Sequence, residues 1–143
     1  MYSYQYPRPA LTADIILIDK VRRMVLLICR KNEPFRLCWA FPGGFFDMSD
    51  ASIEQTAQRE LEEETGVHGV DLQLLTVASR ENRDPRGRTV SVVFCGLVDS
   101  DSIPILGADD ALEARWFSLD NLPSLAFDHG EILQKAINNV FKQ

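Results

Sequence analysis

The chain has 143 residues, is 45% hydrophobic and 25% charged, and carries a formal net charge of -6 at pH 7. This size and balance describe a single globular domain and exclude a disordered or fibrous chain. The acidic balance argues against a general nucleic-acid or anionic-membrane binder, which carries a basic footprint; no apolar run approaches the roughly 18 residues of a membrane span. Cys29, Cys38 and Cys95 are odd in number and lack metal-ligand spacing, so they read as free thiols of a reducing compartment. Met1 to Pro7 shows neither the basic nor the apolar region of a secretory signal, and a cytoplasmic location is expected.

The pattern predicts an α/β domain over residues 1–143. Two nearly continuous apolar runs, 11–18 and 24–29, read as strands covered on both faces. Residues 31–34 form a loop, and Cys38 to Phe41 a short extended piece that ends in the turn Pro42-Gly43-Gly44. Ser52 to Thr65 reads as a helix whose Ile53, Ala57 and Leu61, four apart, make a buried stripe. A strand over 70–78, a loop over 79–88, a long strand over 89–98 and a short one over 113–117 follow. The terminal helix is predicted over 128–141, with Ile132, Ala136 and Val140 on one face.

The helix at 52–65 carries the most information. At 100° per residue Glu60, Glu63 and Glu64 fall at about 0°, 300° and 40°, on one face, while Glu62, near 200°, looks away. Like charges at this spacing destabilise a helix by roughly 0.2–0.5 kcal/mol per pair. Carboxylates near a helix C-terminus also oppose the macrodipole, and Gly66 marks that terminus as a left-handed cap. Such crowding suits a hard divalent cation, which takes oxygen ligands. Gly43 and Gly44, just before the helix, have no Cβ to keep a backbone carbonyl from a metal, and positive φ is a second reason for glycine there.

Arg59-Glu60-Leu61-Glu62-Glu63-Glu64-Thr65-Gly66-Val67, with Gly44 before it, resembles the signature of the Nudix hydrolase family. The resemblance implies an α/β/α sandwich around a mixed sheet and hydrolysis of a nucleoside diphosphate linked to another moiety, by attack of water on phosphorus. Carried over, Glu60, Glu63 and Glu64 are metal ligands together with the Gly43 carbonyl, and the cofactor is Mg²⁺ or Mn²⁺. Glu60 or Glu64 is also a candidate to take the proton of the attacking water. Arg59 belongs to the catalytic set as the residue whose charge pair orients the helix. The chain departs from the pattern by one residue too many between Gly44 and Arg59. Counting forward from Gly44, Asp50 stands where the family has its first Glu, and counting back from Arg59, Ala51 does; Asp50 either does that Glu's work or caps the helix, with Ser52-x-x-Gln55 as a competing capping box.

The loop Ser79 to Arg88 concentrates arginines in an acidic chain, and arginine suits phosphate recognition. As a bare pattern Asp84-Pro85-Arg86-Gly87 is a solvated turn. Together with Tyr6-Pro7-Arg8-Pro9 and Leu125-Ala126-Phe127-Asp128-His129 it resembles the ADP-ribose pyrophosphatase branch. Arg83, Arg86, Arg88 and Phe45 are accordingly the substrate-binding candidates. Phe46 and Trp39 are further aromatics for stacking a base, with core packing the default for all three. Asp109, Asp110, Glu113 and Glu81 are candidates for an acid outside the signature, and His129 either acts as a base or opens the last helix beside an Asp128 cap.

These features predict hydrolysis of ADP-ribose, a small-molecule nucleotide substrate, to AMP and ribose 5-phosphate. The alternatives are a pool-cleaning (deoxy)nucleoside triphosphate pyrophosphohydrolase of the 8-oxo-dGTP type and a module that senses ADP-ribose without cleaving it. Sensors of that type carry an added DNA-binding segment, for which 143 residues are expected to leave no room. No nucleic-acid or membrane partner is expected; a homodimer is what the branch implies.

Overall fold

A computed structural model describes residues 2–105 and 113–142. Among the described residues, seven strands form one mixed sheet: β1 Ala10–Asp19, β2 Met24–Cys29, β3 Trp39–Ala40, β4 Gly43–Phe45, β5 Gln73–Ala78, β6 Thr89–Leu97 and β7 Glu113–Ser118. Two helices, α1 Ile53–Thr65 and α2 His129–Val140, pack on it. The fold class is the expected α/β arrangement around a mixed sheet.

The continuous apolar run of β1 makes sense once both its faces are assigned. Ala13, Ile15 and Leu17 point to one side, into a core with Ala57 and Leu61 of α1. Ile16 and Ile18 point to the other, into a core with Ile132, Leu133 and Ala136 of α2. The two-residue period of the strand thus serves two layers.

Along one edge β1 runs parallel to β6, from Ala10 opposite Thr89 to Ile18 opposite Leu97. Along the other it changes partner. Thr12, Ala13 and Asp14 pair antiparallel with Phe45, Gly44 and Gly43 of β4, whereas Ile18 and Asp19 pair with Val25 and Met24 of β2. The sheet forks between these two partners.

Several boundaries differ from expectation. The fifth strand begins at Gln73, not residue 70, because the Val70 carbonyl accepts from Gln58 Nε2 at 2.9 Å and Val70 and Leu72 pack under α1. The terminal helix is one residue shorter at each end, with Asp128 at its N-cap position but making no side-chain cap bond. Gly43-Gly44-Phe45 is a strand rather than a turn.

Candidate active site

Helix α1 starts at a cap the sequence offered. Ser52 Oγ accepts from the Gln55 N–H at 3.1 Å, and Gly66, at φ 79°, closes the helix in the left-handed conformation. Asp50 is therefore not the cap. Its two oxygens accept from Nε and Nη2 of Arg59, both at 2.9 Å, and also from Thr56 Oγ1 at 2.7 Å and the Asp47 N–H at 3.0 Å. The Asp50 side chain is 3% exposed. The Arg59 hydrogen bonds, helped by Thr56 and the Asp47 N–H, hold its carboxyl well below the usual range. Asp50 is thus the carboxylate partner of Arg59.

Arg59 also donates to Glu60 Oε1 at 2.8 Å and lies 3.4 Å from both oxygens of Glu63. Gly43 N–H donates to Glu64 Oε1 at 2.6 Å. Gly43 is opposite Asp14 in a pair whose bonds are made by its neighbours, since the Ile15 N–H donates to the Pro42 carbonyl. In such a pair N–H and carbonyl both point away from the partner strand, so the Gly43 carbonyl faces α1 as its N–H does. The two glycines are needed for close approach, and the expectation of positive φ does not hold for them. A Cβ on Gly43 would lie 2.3 Å from the Ala13 carbonyl oxygen, and one on Gly44 would lie 2.4 Å from Glu60 Cδ.

The cleft, about 540 Å³, opens at the fork of the sheet, between α1 and β4 on one side and the β2 end, the 83–86 loop and the start of α2 on the other. Glu60 and Glu64 line it; Glu63 stands outside the lining with its side chain 57% exposed. Burial lifts the Glu64 carboxyl to about 8, against the pull of Gly43 N–H and with repulsion from Glu60, Asp14 and Glu63 added. Burial also raises Glu60, opposed by Arg59. As the side chains stand, no three His, Cys, Asp or Glu residues among those described close around one point. The donor chemistry nevertheless fits a divalent cation: Glu60, Glu64 and the Gly43 carbonyl face one another, and Glu63 is adjacent on the helix. Burial is the main cause of the raised carboxyls, and repulsion between neighbouring carboxylates adds to it.

The remaining expected residues divide clearly. Phe45 and Phe46 line the cleft and are exposed rather than in the core, whereas Trp39 packs edge-on against Phe117 at 4.6 Å, away from the cleft. Arg83 reaches the cleft wall but is buried, its Nε and Nη2 held by Asp128 at 2.9 and 2.8 Å. Arg86 lines the cleft, forked onto Asp84, with its guanidinium over both Phe45 and Phe127. Arg88 is exposed and outside the lining. Glu81 and Glu113 are exposed and also outside, Glu113 paired with Arg115; Asp109 and Asp110 lie outside the described residues.

Asp14, Arg30, Asp84 and Phe127 are among the lining residues that the sequence analysis did not put forward as site residues. Asp14 is a carboxylate between Ala13 and the apolar run 15–18 of β1, a signal that was available. It accepts from Ser91 Oγ and lies 3.9 Å from His129 Nε2. His129 is buried, stacked on Phe41 at 4.4 Å, and its Nδ1 accepts from the Phe41 N–H at 3.2 Å. Burial lowers its pKa, so it is a neutral ring with its proton on Nε2, facing Asp14. Among the described residues no helix is long and apolar enough to cross a membrane.

Comparisons with known proteins give the family of this fold. Residues 8–136 match the NUDIX domain family. The chain belongs to the Nudix family and is by class a Nudix pyrophosphohydrolase. It is 44% identical over 129 residues to an ADP-ribose pyrophosphatase of Methanocaldococcus jannaschii, covering 90% of this chain and 73% of that protein. It is 33% identical over 136 residues to the ADPR responsive transcriptional repressor NtrR of Acinetobacter baylyi, of which it spans 54%. Among solved structures, the NUDIX domain of Shewanella oneidensis NrtR complexed with ADP ribose has a TM-score of 0.87 and 30% identity, covering 94% of this chain and 90% of that one.

Proposed function

We propose that this protein hydrolyses ADP-ribose to AMP and ribose 5-phosphate with Mg²⁺ or Mn²⁺. The observation that carries the reading is a cleft with carboxylates on one wall and arginine with aromatic rings on the other, in a chain 44% identical to an ADP-ribose pyrophosphatase. Glu60, Glu63, Glu64 and the Gly43 carbonyl would hold the cation. When bound, it supplies neutralisation of the diphosphate charge and a lowered pKa for coordinated water.

The chain's own groups do the rest. Arg59 fixes Glu60 through Oε1, and Gly43 N–H fixes Glu64 through Oε1, leaving Oε2 of each without a protein donor among the described residues. Those free oxygens can accept a proton from attacking water. Arg59 is a positioning residue, held by Asp50. Arg86 offers a planar cation to the anionic substrate. The free thiols of Cys29, Cys38 and Cys95 support a cytoplasmic location.

A second reading, binding of ADP-ribose without cleavage, is favoured by the likeness to the ADPR responsive repressor. A Mg²⁺-supplemented panel of ADP-ribose, NADH, diadenosine polyphosphates and 8-oxo-dGTP separates the readings. AMP and ribose 5-phosphate from ADP-ribose are expected. Pyrophosphate from the triphosphate would place the protein with the pool cleaners, and tight binding without products would make it a sensor. Glu63→Gln is expected to lose most turnover and to remain folded, because it removes one like charge from the helix.

A further inference from the structure

The floor of the cleft on the α2 side of the sheet is polar, and the chemistry above does not use it. Thr12 and Asp14 stand two apart on β1, so their side chains share the face that Ile16 turns toward α2. His129, the first residue of α2, meets Asp14 there, and all three line the cleft. Thr12 and His129 are only 9% and 3% exposed, and the Asp14 side chain 14%. Each nevertheless keeps a polar atom free. His129 Nδ1 is taken by the Phe41 N–H, which leaves the Nε2 proton facing Asp14 Oδ2 across 3.9 Å, too far for a hydrogen bond. Asp14 Oδ2 accepts from Ser91 Oγ, leaving Oδ1, and likewise Thr12 Oγ1, without a partner among the described residues. Oδ1 occupies the space that glycine leaves at residue 43, where a Cβ would come within 2.4 Å of it.

These atoms are not sealed in. Among the described residues Trp116 Nε1 is the one fully buried side-chain polar atom without a partner, so the free atoms of Thr12, Asp14 and His129 open onto the cleft they line. Polar groups in such surroundings are matched by protein, water or ligand. The set offers one N–H donor, one carboxylate acceptor and one hydroxyl that does both. A phosphate would meet the charge of Asp14, and a cation the Nε2 proton. An alcohol suits both, because its one oxygen donates and accepts. An oxygen roughly 2.8 Å from each of Nε2 and Oδ2 spans the 3.9 Å between them.

We propose that Thr12, Asp14 and His129 form a subsite for a vicinal diol, receiving the 2- and 3-hydroxyls of a ribosyl group and making the cleft selective for ribose over deoxyribose. One hydroxyl lies between His129 Nε2–H and the Asp14 carboxylate, and its neighbour meets Thr12 Oγ1. A deoxynucleoside triphosphate lacks one of the two hydroxyls, so the same subsite disfavours it. The inference rests on ADP-ribose being the ligand of this cleft. That ligand carries two ribosyl groups of the same chemistry, and the experiment tells them apart.

Binding is measured by competition in EDTA, so that hydrolysis plays no part, with ADP-ribose and its analogues lacking the 2- or 3-hydroxyl of either ribose. The wild-type protein should bind ADP-ribose roughly tenfold or more tightly than the deoxy analogues of one ribose, the effect of losing a hydrogen bond to a charged group. The ribose whose analogues bind weakly is the one the subsite holds. Asp14→Ala should bring that ratio to within about twofold of one. Thr12→Val should lower the ratio, and Thr12→Ser, which keeps the hydroxyl, should preserve it. The ratio is the readout because Asp14→Ala also removes a charge that repels an anionic ligand.

Equal binding of ADP-ribose and every deoxy analogue by the wild-type protein overturns the proposal even if the variants fail to fold. So does an unchanged ratio in folded Asp14→Ala. Weak binding confined to the hypoxanthine analogue of ADP-ribose, which alters only the edge of the base, would give the pocket to the base and overturn it as well. Hydroxyl selectivity without ADP-ribose turnover in Mg²⁺ would leave the subsite standing and sink the hydrolase reading alone. Turnover of ADP-ribose with equal binding of the deoxy analogues would do the reverse.

Discussion

Gly43 and Gly44 differ in what they avoid. A methyl group on Gly43 would meet backbone, the Ala13 carbonyl oxygen at 2.3 Å and Asp14 Cα at 3.0 Å, so the strand pair itself must shift. Gly43→Ala is expected to lower stability by about 1–3 kcal/mol, the usual range for overpacking, in a urea titration. A methyl group on Gly44 would first meet the carboxyl end of Glu60, which can swing away. Gly44→Ala is therefore expected to keep its unfolding midpoint and to lose roughly 10²-fold in turnover, as a misplacement of about 1 Å at a reacting centre can cost. Equal stability losses in the two variants would contradict this division. The need for glycine was readable from composition; the reason, close approach within a strand, was not, because it depends on which side chain α1 brings opposite.

At the scale of the element, α1 is held by two separable devices. Ser52 caps it locally, and Asp50 ties Arg59, Thr56 and the preceding turn together. Ser52→Ala removes one hydrogen bond at an exposed end and should cost about 1 kcal/mol with activity retained. Asp50→Ala frees a guanidinium that also holds Glu60 and Glu63, so it should lower both the melting temperature and turnover. Turnover unchanged in Asp50→Ala would mean that Arg59 needs no such anchor. The cap and the glutamate face were legible because both follow from spacing along one helix. The choice between Asp50 as cap and Asp50 as partner of Arg59 lay beyond spacing, since it depends on the path of the turn before the helix.

For the whole molecule, the buried carboxylates set opposing limits on stability. Asp50 and Asp19 titrate well below an ordinary carboxyl, so their contribution is present above the unfolded pKa and is lost in strong acid. Glu64 is the opposite case. Its folded pKa, about 8, lies above the ordinary value of 4.5, so the folded state binds its proton more tightly. That contribution is complete below about 4.5 and is lost as pH rises to 8, at about 1.4 kcal/mol for each tenfold difference in proton affinity. The metal-free protein should therefore lose thermal stability between these values, and Mg²⁺ should restore it at the alkaline end. Glu64→Gln should flatten the profile; an unchanged profile in that variant would show that Glu64 does not titrate as described. Sequence alone determined the class, the two-sided strands and the carboxylate helix, because each is written in periodicity or in one contiguous motif. The tertiary structure decided the opposite wall of the cleft. Asp14, Arg30, Arg86, Phe127 and His129 come from distant parts of the chain, and only the fork of β1 between β4 and β2 brings them together. It also decided that Arg83 is paired with Asp128, because the burial of an ion pair depends on what the fold packs around it.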